Sequence, residues 1–283
     1  MPLRRAQMLT AYDSEPQFSD ADGTRTWIGR GANFVVAISS VVDGSVLSRE
    51  DNPDEYFLLL HDCGALVEAS GEAVGARANS VTIVPPGRSA IRFQESGVAV
   101  RIFSSRAEDL AAAASNAHAY AGNVDDVAPL VPWPAPPGGY RIRHYELDES
   151  DSPGSNMRLY RSSNLMVNAL RKRQVPRDVT ALSPHSHKDF EQGSIALEGT
   201  YVHHLRYPWG KDMTQWVDDE AIEVHSPSLA VIPPGTVHTS RNVSAGASWL
   251  IDIFAPPRTD FSNKPGLVLN EAEYPLPDVP AVT

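Results

Sequence analysis

The 23 prolines and 19 glycines of this chain fall between short runs of β-branched and aromatic residues along nearly its whole length. Proline lacks a backbone donor and breaks helix interiors and central strands, so punctuation this dense leaves room for short strands and little else. Segments able to sustain a helix are scarce. The pattern predicts an all-β protein, a sandwich or a barrel.

The strand-like runs come in two series. NFVVAISSVV (33–42) leads into an Asp43-Gly44 turn signal, and EYFLLLHDCG (55–64) reads as a strand buried on both faces. SVTIVPPG (80–87) and AIRFQESGVAVRIFSS (90–105) follow. The capping-box spacing of Ser105 and Glu108, with alanines after it, predicts a helix over 105–120. Residues 124–139, VDDVAPLVPWPAPPGG, are too proline-dense for a strand or helix and read as a stiff linker. Strand patterning resumes with YRIRHYEL (140–147), MRLYRSS (157–163), NLMVNALRKRQV (164–175), DVTALSPHSH (178–187) and SIALEGTYVHHLRY (194–207). Residues 208–220 read as an insertion, and residues 1–26 and 256–283 as segments lying over the surface.

The two series repeat each other. SVTIVPPGRSAIRFQ (80–94) matches SLAVIPPGTVHTSRN (228–242) at an offset of 148, NFVVAI (33–38) matches NLMVNA (164–169) at 131, and EYFLLLHD (55–62) matches QGSIALEG (192–199) at 137. Three matches in the same order predict a duplicated β-barrel unit. The chain accordingly divides into a first barrel (1–123), a linker (124–139) and a second barrel (140–283).

Composition narrows the partners. A formal charge of −11 disfavours nucleic acid and anionic membranes, and no apolar run is long enough to span a bilayer. The N-terminus lacks the apolar stretch of a secretory signal. A single cysteine, Cys63, permits no intrachain disulfide and suits a reducing cytoplasm.

Chemistry concentrates between residues 184 and 242. His185 and His187, two apart, would share one strand face, with Glu191 and Gln192 just beyond and His238 after a Pro-Pro-Gly turn. Neutral imidazole is the commonest protein ligand of Zn, Fe, Ni and Cu. Three imidazoles and an oxygen would hold one divalent ion and leave positions open for substrate. His61, His118, His144 and His225 have no such company and read as ordinary surface or packed residues.

The second half resembles the cupin superfamily, whose motifs run G-x5-H-x-H-x3,4-E-x6-G and G-x5-P-x-G-x2-H-x3-N. HSHKDFEQGSIALEG supplies His185, His187 and Gly199; PPGTVHTSRN supplies Pro233, Gly235, His238 and Asn242. The first glycine of each motif is absent, and Pro227 stands at the second of these positions. The resemblance implies a bicupin, two jelly-roll barrels in one chain with the metal motifs in the second only. The carboxylate position is ambiguous: four residues after His187 counts to Gln192, three to Glu191. The strand ending Ala-Leu-Glu-Gly favours Gln192, with Glu191 as the alternative. An amide there would leave the ion's charge uncompensated and favour an anionic ligand. The first copy has lost the set, with Ser48, Glu50 and Ala90 at the histidine positions and Glu55 at that of Gln192, so it reads as structural, a lid or a homodimer surface.

Tyr201 and His203, on one face of a following strand, are candidate acid/base residues, and Arg206, Trp209 and Trp216 candidate substrate contacts. The leading expectation is a metal-dependent enzyme acting on a small anionic or carbonyl-containing molecule, most concretely an Fe(II) dioxygenase, with Mn, Ni, Co or Zn as other ions. The alternatives are a non-redox isomerase, lyase or decarboxylase, or a binding and sensing bicupin without turnover.

Overall fold

The computed structural model describes residues 3–122, 124–148 and 155–277. Strands dominate and form two pairs of facing sheets. In the first pair, a seven-stranded sheet has Tyr56–Leu60 and Gly97–Ser104 near its middle, and a four-stranded sheet carries Val46–Asn52, Gly87–Phe93, Ala65–Ala69 and Glu72–Ala76. In the second, a six-stranded sheet centres on Gln192–Glu198 and Trp249–Phe254, opposite a three-stranded sheet of Glu220–His225, Thr200–Arg206 and Val237–Asn242.

Alternation along the strands explains the layers. Strand Tyr56–Leu60 is buried throughout. Phe57 and Leu59 pack with Ile195, Val231 and Ile251 of the second half, whereas Tyr56, Leu58 and Leu60 fill the first barrel with Val67, Ile91 and Phe103. Each such side chain contributes roughly 1.5–3 kcal/mol when fully buried. The interior of the second barrel is different. Its apolar residues form smaller groups, such as Leu205 with Tyr207 and Ile232, and leave room for polar side chains.

The halves also exchange strands. Gln7–Thr10 pairs antiparallel with Ser228–Val231, on the edge of the second half's large sheet. Arg143–Glu146 pairs in the same way with Ser80–Ile83 of the first half. Part of the segment expected to lie loosely over the surface, residues 1–26, is therefore a ladder strand, and Arg25–Arg30 another.

Three local expectations need correcting. The helix predicted over 105–120 splits into an α-helix, Glu108–Ala113, without a side-chain cap, and a 3-10 turn, Ala117–Tyr120. Between them Ser115 N–H binds the Ile28 carbonyl and the Asn116 amide binds both the N–H and the carbonyl of Arg30, so the chain is drawn onto a strand edge there. Residues 178–187 form no strand, since Pro184 cannot donate to a ladder; only an isolated bridge joins His185 to His238. Finally, the repeat is shifted by one residue at the critical place. Gln192 pairs with Ile232, before Pro233, and Tyr56 pairs with Val84, before Pro85. The counterpart of Gln192 is thus Tyr56, and Glu55 is the counterpart of Glu191.

Candidate metal centre

Two backbone features set the histidines. His185 and His238 exchange both N–H···O bonds, at 3.1 and 2.8 Å, which puts their side chains on one face. Gly235, at φ +76° in the Pro-Pro-Gly turn, donates its N–H to the His187 carbonyl at 2.7 Å and holds that residue alongside. The three rings lie with centroids 4.5–5.3 Å apart, and one nitrogen from each lies within 4.8 Å of the others. His187 and His238 are buried and His185 is exposed.

Protonation favours a cation. Burial, as the largest cause, pushes the His187 and His238 imidazoles down to about 4, so both are neutral at neutral pH. His185 Nδ1 and His238 Nδ1 each lie 2.9 Å from a backbone carbonyl, of Ser183 and Thr236. For His238, neutral by burial, donation there leaves Nε2 as a bare lone pair.

Gln192, the first residue of its strand, presents Oε1 to this cluster, 2.8 Å from His187 Nε2 and 3.3 Å from His238 Nε2. Its orientation is fixed from behind, where Nε2 donates to Ser194 Oγ at 3.0 Å and to Asp252 Oδ1 at 3.1 Å. The amide oxygen therefore faces the unprotonated nitrogen of His238, two acceptors with no proton between them. A divalent ion would turn that repulsion into coordination, and the donor set fits one. Glu191 points the other way. Its carboxylate is buried and binds Arg4 Nη1 at 2.6 Å, the Ala32 N–H at 2.6 Å and the Tyr120 hydroxyl at 3.1 Å, all from the N-terminal part of the chain.

A cavity of about 290 Å³ opens over the cluster, lined by His185, His238 and Gln192 at its polar wall and by Leu250, Phe254 and Phe261. Tyr201 lines it; burial pushes its hydroxyl up to about 12, so it stays protonated at neutral pH. His203 does not line it, being buried with Nδ1 2.7 Å from Ser240 Oγ. Arg206, Trp209 and Trp216 do not reach this cavity either. Arg206 lies on the opposite strand face, ion-paired with Asp219 at 2.5 Å. Trp209 and Trp216 stack on each other at 4.5 Å, and Trp209 lines a separate groove with Tyr207 and Val217.

The cavity holds residues that motif spacing passed over: Asp252, Arg173, Arg177 and Arg258. Asp252 had a signal, a lone charge in the apolar run WLIDIF, and it accepts from Ser194 Oγ at 2.7 Å. Burial pushes its carboxyl up to about 6. At the same place in the first barrel stands Arg101, in VAVRIF.

Two related barrels in one chain, with a histidine cluster in the second, make this a cupin-fold protein of the two-barrel kind. No protein-family model and no curated protein sequence matches the chain. Among solved structures, it is similar to the Lactobacillus farciminis oxalate decarboxylase in its formate complex, with a TM-score of 0.60 and 11% identity over 93% of this chain and 92% of that one. AerE from Microcystis aeruginosa gives 0.56 and 9% identity, over 90% and 98%. The Bacillus subtilis oxalate decarboxylase, an enzyme with Mn(II) centres, gives 0.59 and 11%, over 93% and 82%. Among the described residues no helix is long and apolar enough to cross a membrane.

Proposed function

We propose that this chain is a divalent-metal-dependent enzyme of the lyase type, a decarboxylase acting on a small carboxylate. His185, His187 and His238 would hold the ion with the amide oxygen of Gln192. When bound, the ion supplies Lewis acidity toward a substrate carboxylate or carbonyl. The observation that carries the reading is the charge of the site. No side chain in the donor set carries a negative charge, and among the described residues arginines outnumber acids around the cavity, so an anion is the ligand this environment favours.

The protein's own groups complete the chemistry. Loss of carbon dioxide leaves an electron pair on the adjacent carbon that must take up a proton. Tyr201, protonated and on the cavity wall, holds one at its hydroxyl. Leu250, Phe254 and Phe261 limit water around that carbon. Asp252 keeps the Gln192 amide from turning its nitrogen toward the histidines.

The Fe(II) dioxygenase first expected from the sequence is the weaker reading, because the similar structures reported above that carry a named activity are decarboxylases. Mn(II) consequently ranks ahead of Fe(II), although the donors suit either. Elemental analysis of the purified protein, with carbon dioxide release measured anaerobically on a panel of small carboxylates, tests this. Turnover that requires oxygen and iron, with none in Mn(II)-loaded protein, would overturn it.

A further inference from the structure

We propose that the substrate carries two carboxylates, the second of them held by Arg173 and Arg177 at the outer part of the cavity. This deepens the reading of the histidine cluster as a metal centre and rests on it.

The charges around the cavity are unusual for this chain. A protein with a formal charge of −11 lines one cavity with Arg171, Arg173, Arg177 and Arg258, against a single acid among the described residues, Asp252. Not all four are available. Arg258 is neutralised by Asp260, at 3.0 and 2.6 Å, and lies on the Phe261 ring with its guanidinium carbon 3.7 Å from the centroid. Asp252 is engaged by Ser194 and Gln192.

Arg177 and Arg173 keep their charge. The Arg177 guanidinium donates to the Ser240 carbonyl at 2.9 Å and to Ser183 Oγ at 2.8 Å, both neutral acceptors, so it is oriented without being compensated. Arg173 has its backbone pinned by a bridge to Ser248, while its exposed side chain makes no hydrogen bond or ion pair among the described residues. Arg177 is held below the usual arginine range, first by burial and then by the charge of Arg173, which places the two guanidiniums within each other's field. Two uncompensated like charges beside one cavity lack an anion.

Size agrees. The cavity of about 290 Å³ is roughly ten times a water's share of liquid volume, about 30 Å³, which is room beyond a two-carbon anion. A dicarboxylate of about four to six carbons could place one end at the histidines and the other at the arginines.

The test is calorimetric titration of Mn(II)-loaded protein with succinate and with acetate, on the natural chain and on Arg173→Gln, after Mn(II) stoichiometry has been measured by electron paramagnetic resonance. Arg173 is exposed, so this variant should keep its fold and its Mn(II). Succinate should bind about tenfold or more tighter than acetate, and Arg173→Gln should remove about that factor for succinate while moving acetate less than about twofold. Arg177→Lys, which keeps the charge but loses the paired donation, should weaken succinate in the same direction. Equal binding of the two probes with Mn(II) in place, or undiminished succinate binding by Arg173→Gln, would overturn the two-carboxylate reading alone. Protein that takes up no Mn(II) would overturn the metal reading on which it rests.

Discussion

Replacing Glu191 by Gln separates the two neighbouring side chains that compete for the fourth ligand position. The carboxylate accepts from Arg4 and Tyr120 on one oxygen and from the Ala32 N–H on the other. A glutamine of the same shape must put its NH₂ where one oxygen now accepts, so at least one buried donor loses its acceptor, at about 1–3 kcal/mol. The lost ion pair adds less than a fully buried one would, because the Arg4 side chain is 24% exposed. Together these give a loss of about 2–5 kcal/mol, and at about 2–4 °C per kcal/mol the melting temperature should fall by about 4–20 °C. Scanning calorimetry of the metal-free protein reads that fall, and Mn(II) titration of the same variant should show affinity within about threefold of the natural chain. A variant of unchanged stability whose Mn(II) affinity collapses would mean that Glu191 serves the metal, and the geometric reasoning would fail.

Asp252→Leu removes the acceptor that fixes the Gln192 amide, so Mn(II) should bind about 10- to 100-fold more weakly; unaltered affinity would show that the amide needs no such support. Acidity should matter little to two of the three histidines. Their folded values are depressed to about 4, so the neutral, ligating form is already present above about pH 5 and is lost only as pH falls further. Titrations at pH 6 in buffers of different ionisation enthalpy should therefore release at most about one proton per Mn(II), and two or more would contradict the depressed values. Cys63 is fully buried, with its thiol pushed up to about 12 by burial, so a thiol reagent at pH 8 should label denatured but not native protein. Rapid labelling of the native state would show that the first barrel opens.

The histidine cluster was legible because its spacing is tied to a turn: Pro233, Gly235 and His238 set the distance along the chain from bend to ligand. The contest between Glu191 and Gln192 was harder, because adjacent residues at the start of a strand face opposite ways and the parity depends on where pairing begins. The same one-residue uncertainty gave Glu55 the place that belongs to Tyr56. In the structure the two glutamates are equivalent, each reaching across to the other half: Glu191 to Ala32 N–H and Tyr120, Glu55 to the Ser163 N–H and the Tyr274 hydroxyl. No motif marks such a pair, since its partners lie far away in sequence. Arg173 and Arg177 escaped notice for another reason. They occupy a stretch without regular pairing, where no periodicity says which side chains converge. Arg206 and the two tryptophans looked suitable by chemistry, but Arg206 lies on the outer strand face and the tryptophans in a loop beside it.

The exchanged strand Gln7–Thr10 has a consequence for how the molecule is made. Its partner, Ser228–Val231, lies far downstream in the second half, so during synthesis Gln7–Thr10 emerges long before the strand it pairs with. The first barrel's other strands can pair among themselves in the meantime, except that Ser80–Val84 keeps an open edge until Arg143–Glu146 arrives. Closing such distant contacts is slow, and the unpaired edges are exposed while it happens. A nascent chain of this protein should therefore be most vulnerable to aggregation in the interval between the two barrels, after the first has condensed and before the second has supplied the missing partners.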